Sequence, residues 1–139
     1  HAESWNELLL HLEEFMTRLH LLLTGCESEI HSSITQVVQY IEQNYKKTIA
    51  LNELAGLIHL SPTYLSRRFH QEQGMSIRDY IARTRLEQAS SLLRNTRLPI
   101  TEISAACGFS NTSFFHKLYR KHYGLSPAQA RQQWLEGGF

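Results

Sequence analysis

Residues 51–74 read LNELAGLIHLSPTYLSRRFHQEQG, and this stretch decides the fold because residues 100–124, ITEISAACGFSNTSFFHKLYRKHYG, repeat its plan. At an offset of 49, Leu51, Glu53, Leu54, Leu60 and Ser61 meet Ile100, Glu102, Ile103, Phe109 and Ser110. One inserted residue then moves the offset to 50, where Tyr64, Leu65, Arg67, Phe69, Gly74 and Ser76 meet Phe114, Phe115, Lys117, Tyr119, Gly124 and Ser126. Each copy is a short apolar helix, a tight turn and a second helix with a basic outer face. That is the helix-turn-helix plan, in which the second helix can lie in the DNA major groove. Two copies predict two grooves.

Working outward, Ser61 followed by Pro62 predicts an N-cap with proline at the first helical position. Leu65 and Phe69, four apart, anchor that helix and turn Thr63, Ser66, Arg67 and His70 outward. In the preceding helix Leu54, Leu57 and Ile58 are expected to face inward, with Ala55 small where the two helices approach. Ser76 caps a longer helix over residues 76–95, whose apolar positions are Ile77, Tyr80, Ile81, Leu86, Ala89, Leu92 and Leu93. Twenty residues make a rod of about 30 Å, close to the roughly 34 Å separating successive major-groove faces. Pro99 breaks the chain, Gly108 permits a left-handed turn, Ser110 or Asn111 caps the second candidate reading helix, and Ser126-Pro127 start a last helix through Trp134. No strand pattern is visible. The fold class is all-α.

Before the repeats, Ile34, Val37, Val38, Ile41 and Tyr45 mark a helix, with Lys46 and Lys47 expected at its carboxyl end, where cations suit the helix dipole. Further upstream Leu8, Leu12, Phe15, Leu19 and Leu22 step by four and three, widened by Leu9, Met16 and Leu23, and predict an amphipathic helix from Ser4 to about Thr24. It either packs on the rest of the chain or serves as a linker or coiled coil. Gly25 and the polar run Glu27 to Ser33 read as a boundary, so residues 1–30 are a linker or dimerisation element and 31–139 the domain proper. The two motifs fall at about 51–74 and about 100–124, and the connecting helix at about 76–95. The first residue is His1, not methionine, and the chain is expected to be part of a longer protein.

The 139 residues, 42% of them hydrophobic, can bury a core. The net charge of +1 hides an asymmetry. Up to residue 30, Arg18 stands against six glutamates, a net −5; the remaining residues carry thirteen basic against seven acidic side chains, a net +6. A basic body suits a polyanion, because each phosphate met by Lys or Arg releases condensed counterions. Cys26 and Cys107 have no metal-ligand spacing and read as reduced thiols of a cytoplasmic protein. The longest apolar stretch, Leu19 to Leu23, is interrupted by His20 and too short to span a bilayer, so no membrane partner is expected.

Residues near the start of a reading helix reach base edges, and later ones lie against the backbone. The candidate base contacts are therefore Thr63, Ser66 and Arg67 in the first motif and Thr112, Ser113, His116 and Lys117 in the second. Arg67 and Lys117 hold equivalent places, and Arg67 leads because its planar fork can pair bidentately with guanine O6 and N7. Arg68, Arg120, Lys121 and His122 are candidate phosphate contacts, as are the helix starts at Ser61 and Ser110. Phe114 could meet a thymine methyl, but core packing is the favoured reading. None of the eight histidines sits in an HExxH helix, and no nucleophile has an obvious base. No catalytic residue, metal site or cofactor is expected.

Residues 34–134 resemble the DNA-binding domain of the AraC/XylS family of bacterial transcription regulators. The resemblance is carried by Leu51, Leu54, Ala55, the run Leu60 to Arg67, Phe69, Gly74, the stretch Tyr80 to Leu93 with Arg85 and Ala89, then Ile103, Gly108-Phe109-Ser110, Phe115, Tyr119, Gly124, Ser126-Pro127 and Arg131. It implies seven helices, two of them reading adjacent major-groove segments, preceded in this chain by the extra amphipathic helix. It also implies promoter DNA and RNA polymerase as partners, activation rather than repression, and base contacts at the seven positions named above. The alternative is an interaction module contacting polymerase or a partner subunit. A homodimer could form through residues 1–30 or through an upstream domain, such as the receiver domain of a response regulator. One departure is Ala130, where the family commonly has an aromatic residue before Arg131; Trp134 is a candidate to supply that packing.

Overall fold

The computed structural model describes residues 2–24 and 27–137, with side chains over 5–19 and 31–137, and over that range it holds eight helices and no strand. In order they are α1 (Ala2–Thr24), α2 (Glu27–Asn44), α3 (Leu51–Ile58), α4 (Pro62–Gln73), α5 (Ile77–Asn95), α6 (Ile100–Ala106), α7 (Thr112–Tyr123) and α8 (Pro127–Glu136). The chain divides into two units, His1–Asn44 with Ile49–Tyr80, and Tyr45–Thr48 with Ile81–Phe139.

In the first unit Ile34, Val37 and Ile41 of α2 meet Leu54, Ala55 and Ile58 of α3 and Leu65 and Phe69 of α4, all buried. Fully burying a side chain of this size stabilises by about 1.5–3 kcal/mol. Phe69 meets Tyr80 edge-on at 5.6 Å, and the Tyr80 hydroxyl donates to Glu42 at 3.1 Å. Tyr40 donates to Glu53 at 2.8 Å, tying α2 to α3.

The second unit is built on Leu86, Ala89, Leu93, Ile103, Cys107, Phe109, Phe115, Tyr119 and Ala130, with Trp134 of α8 packed against them. Ala130 and Trp134 of α8 thus both contribute to this core. Arg131 donates to three backbone carbonyls, of Leu93 at 3.2 Å, Thr96 at 3.2 Å and Leu98 at 2.6 Å, and so straps the α5–α6 connection to α8. Arg85 does the same for residues 45–47, donating to Tyr45 O at 2.7 Å and Lys47 O at 3.0 Å, with its guanidinium 5.9 Å from the Phe109 ring centroid.

The duplication is visible residue by residue. Leu54 and Ile103, Leu65 and Phe115, Phe69 and Tyr119 are all buried. Gly74 and Gly124 end α4 and α7 in the left-handed conformation at φ 74 and 79, each N–H closing on the carbonyl four residues back, His70 O and Arg120 O. His59 and Gly108, both with positive φ, turn α3 and α6 toward the next helix.

Several expectations need correction. The polar run Glu27 to Ser33 is not a break but the first part of α2, whose buried positions among the described side chains are Ile34, Val37 and Ile41. Gly25 and Cys26 lie outside the described residues. The helix α2 ends at Asn44, and Lys46 and Lys47 follow in the turn after its last residue. Leu57 is 47% exposed: the 3.6-residue period puts Leu54, Ala55 and Ile58 on one face of an eight-residue helix and leaves Leu57 on its flank.

Candidate nucleic-acid interface

The helix α4 starts where its sequence says it should. The Ser61 hydroxyl accepts from Tyr64 N at 3.2 Å and Pro62 occupies the first helical position, where its missing N–H leaves nothing unpaired. Burial of Tyr64, Leu65 and Phe69 fixes the inner face, and Thr63, Ser66, Arg67 and His70 line an open groove on the outer one. Arg68 belongs to neither face. It is half-buried and pairs with Glu72 at 3.4 Å, while His31 of α2 lies 3.3 Å from the same carboxylate.

In the second motif the N-cap is Asn111, whose Oδ1 accepts from Phe114 N at 3.2 Å; Ser110 is exposed one residue earlier. The register change in the repeat signals this, because at the offset of 50 that governs both reading helices Ser61 matches Asn111. The inserted residue is a lengthened turn. On α7, Phe115 and Tyr119 are buried, Thr112 and His116 are half-buried, and Ser113, Lys117, Arg120, Lys121 and His122 are exposed. The three basic residues of its last turn suit the carboxyl-end dipole and leave α7 with no acidic side chain.

Phe114 departs from its expected place. Its repeat partner Tyr64 is 7% exposed, whereas Phe114 is 52% exposed. An aromatic ring on the second residue after Thr112 is thus exposed on α7, as Ser113 and Lys117 are.

Gly108 and Cys107 show why the second motif's turn is built as it is. A Cβ on Gly108, φ 94, would lie 2.8 Å from Lys46 O and 2.9 Å from Tyr45 O. Beside it, burial pushes the Cys107 thiol above its ordinary value, a trend that Lys46 and Arg85 oppose, and burial lowers the Arg85 guanidinium. Arg85 and Arg131 are spent on backbone carbonyls. No period or spacing in the sequence marks either role, because their partners lie 33 to 40 residues away.

The packing of α1 on the rest of the chain was one of two readings of the sequence, but its partner was not legible. Helix α1 packs along α4, and Glu14, 7% exposed, takes both its oxygens to Arg67 Nη1 at 2.6 and 2.7 Å. Arg18 lies 3.6 Å from the same carboxylate. The opposite side of α1 is bare: Leu8, Leu12, Phe15, Met16 and Leu19 are all exposed. Among the described residues no group of histidine, cysteine and carboxylate side chains could hold a metal ion, and no helix is long and apolar enough to cross a membrane.

Two capped helices, each ending an α-turn-α unit and each anchored by a buried pair four residues apart, define a tandem helix-turn-helix protein. Comparison with known proteins agrees: a helix-turn-helix domain family matches residues 54–133. The chain belongs to the AraC-type helix-turn-helix regulators of transcription, which are DNA-binding proteins and not enzymes. It is 31% identical over 137 residues to the Msm operon regulatory protein of Streptococcus mutans, covering 94% of this chain and 49% of that one. It is 28% identical over 136 residues to the transcriptional activator RhaS of Yersinia pestis, covering 95% and 50%. Among solved structures, the C-terminal domain of AraT, a response regulator from Geobacillus stearothermophilus, superposes with a TM-score of 0.69 at 33% identity, covering 73% of this chain and 84% of that one. The chain spans about half the length of the curated relatives it matches.

Proposed function

We propose that this chain recognises a bacterial promoter by placing α4 and α7 in two adjacent major-groove segments, and that it activates transcription from the cytoplasm in concert with RNA polymerase. The observation that carries the reading is the duplicated reading helix, capped at Ser61 and Asn111 and anchored at Leu65/Phe69 and Phe115/Tyr119, so that Thr63, Ser66, Arg67 and Thr112, Ser113, His116, Lys117 come to the outer turn. These seven are the base contacts. Ser61, Arg68, Ser110, Arg120, Lys121 and His122 are the phosphate contacts, with Arg68 also bound to Glu72. Activation is supported by the name of the RhaS relative, and a receiver-type partner domain by that of AraT.

Selection of bound sequences from a randomised DNA pool, followed by mobility shifts at several salt concentrations, tests this. The expected product is a pair of half-sites in direct array about ten base pairs apart, bound with a specificity that survives competitor DNA. Binding that competitor abolishes, with only a salt slope left, refutes it.

The bare stripe on α1 supports a second, compatible element: a homodimer through residues 1–30. Trp5, Leu8, Leu12, Phe15 and Leu19 alternate steps of three and four and are all exposed, the pattern of a coiled-coil seam. Sedimentation of the chain and of a Leu12→Glu, Phe15→Glu variant distinguishes the cases. A monomer at micromolar concentration in both ends the dimer reading.

A further inference from the structure

We infer that α1 competes with DNA for the first reading helix, holding the protein in a self-masked state through Glu14. This rests on the reading of α4 given above. Leu10 and Glu14, one turn apart on α1, present a single face to α4. Leu10 borders the groove lined by Thr63, Ser66 and Arg67, and Glu14 takes both its oxygens to Arg67 Nη1. Bidentate recognition of guanine uses the same guanidinium donors, and a base edge has to enter the same groove. While Glu14 holds Nη1, Arg67 cannot present its full fork to a guanine.

The attraction is local: beyond residues 1–30 this unit holds Arg67, Arg68 and Arg78 against Glu42, Glu53, Glu72 and Asp79, and Glu14 meets Arg67, the cation of the groove. The burial pattern agrees too. Where an amphipathic helix docks for stability, its apolar stripe turns inward, but α1 turns Leu8, Leu12, Phe15 and Leu19 outward and docks by a carboxylate. Glu14 is buried although Arg67 remains 51% exposed, so the contact takes a charge out of water on one side only. Pairs with that much exposure are weak. The mask is therefore reversible, and its effect on affinity is a few-fold to about tenfold.

The test uses the full chain and the DNA sequence it selects from a random pool. Glu14→Lys is compared with Glu13→Lys, which makes the same charge change on the adjacent, exposed residue. Glu14→Lys is expected to tighten specific binding about tenfold beyond whatever Glu13→Lys does, and Glu14→Gln about threefold with helix content unchanged by circular dichroism. In an Arg67→Ala background the excess should vanish. Equal tightening by the two lysine variants, together with no effect of Glu14→Gln, overturns the mask and leaves the DNA reading standing. Failure of the natural chain and all variants to select any sequence overturns both.

Discussion

Replacing Gly108 with alanine tests how the second motif is held to residues 45–48. Two costs combine at this position. The left-handed conformation, φ 94, costs an L-residue about 1–2 kcal/mol. The new Cβ would also stand 2.8 Å from Lys46 O and 2.9 Å from Tyr45 O, backbone atoms that cannot swing aside because Arg85 holds Tyr45 O and Lys47 O. Forcing extra volume into such a contact costs a further 1–3 kcal/mol or so, for a total of about 2–5 kcal/mol. Gly74 is the internal control: its φ is 74 and a Cβ there meets nothing within 4 Å, so Gly74→Ala should lose only the first cost, about 1–2 kcal/mol. Urea unfolding followed by circular dichroism measures both variants. Equal losses at the two glycines would refute the close-approach argument and leave only the backbone conformation to explain Gly108.

Four further outcomes are expected. Arg67→Ala relaxes preference at one base pair and costs about 1–3 kcal/mol for the preferred sequence, whereas Lys121→Ala weakens all sequences alike; quantitative mobility shifts against single-base operator variants check this, and uniform loss from both refutes the sorting. Ser104 is buried with no described residue in hydrogen-bond reach of its hydroxyl, and its repeat partner is Ala55, so Ser104→Ala should stabilise by about 1 kcal/mol in thermal melts. Asn111→Ala removes the cap of α7 and should cost about 1 kcal/mol of stability, with Asn111→Asp restoring it. Burial raises Cys107, Tyr119 and Tyr123. A raised acid favours folding while protonated, so this stability is whole below the unfolded values of about 8.5 and 10 and is lost as pH rises through the folded ones; a denaturation midpoint flat from pH 8 to 11 would contradict it.

The helical plan was readable because its signals are local. Ser61-Pro62, Ser126-Pro127, Gly74 and Gly124 mark helix ends by backbone chemistry, and Leu65 with Phe69 or Phe115 with Tyr119 mark inner faces by spacing alone. The errors fall where the answer depends on a distant neighbour. Leu57 and Phe114 are apolar residues left outside because nothing packs over them, and hydrophobicity does not report a missing neighbour. Arg85 and Arg131, seen in the sequence only as points of family resemblance, are carbonyl clamps whose partners come from other elements. The contact between Glu14 and Arg67 joins residues 53 positions apart, and an acidic helix gives no advance sign of which basic surface it will choose.

The divergence between the repeats has one further consequence. A protein that reads DNA through two identical subunits faces a target with two-fold rotational symmetry and cannot tell one end of it from the other. Here the first hand offers Thr63, Ser66 and Arg67, the second Ser113, His116 and Lys117 beside a projecting Phe114, and they are covalently joined in a fixed order. On the function proposed above, flipping the target end for end would give each hand the wrong text, so a single bound molecule carries an arrow: it distinguishes upstream from downstream.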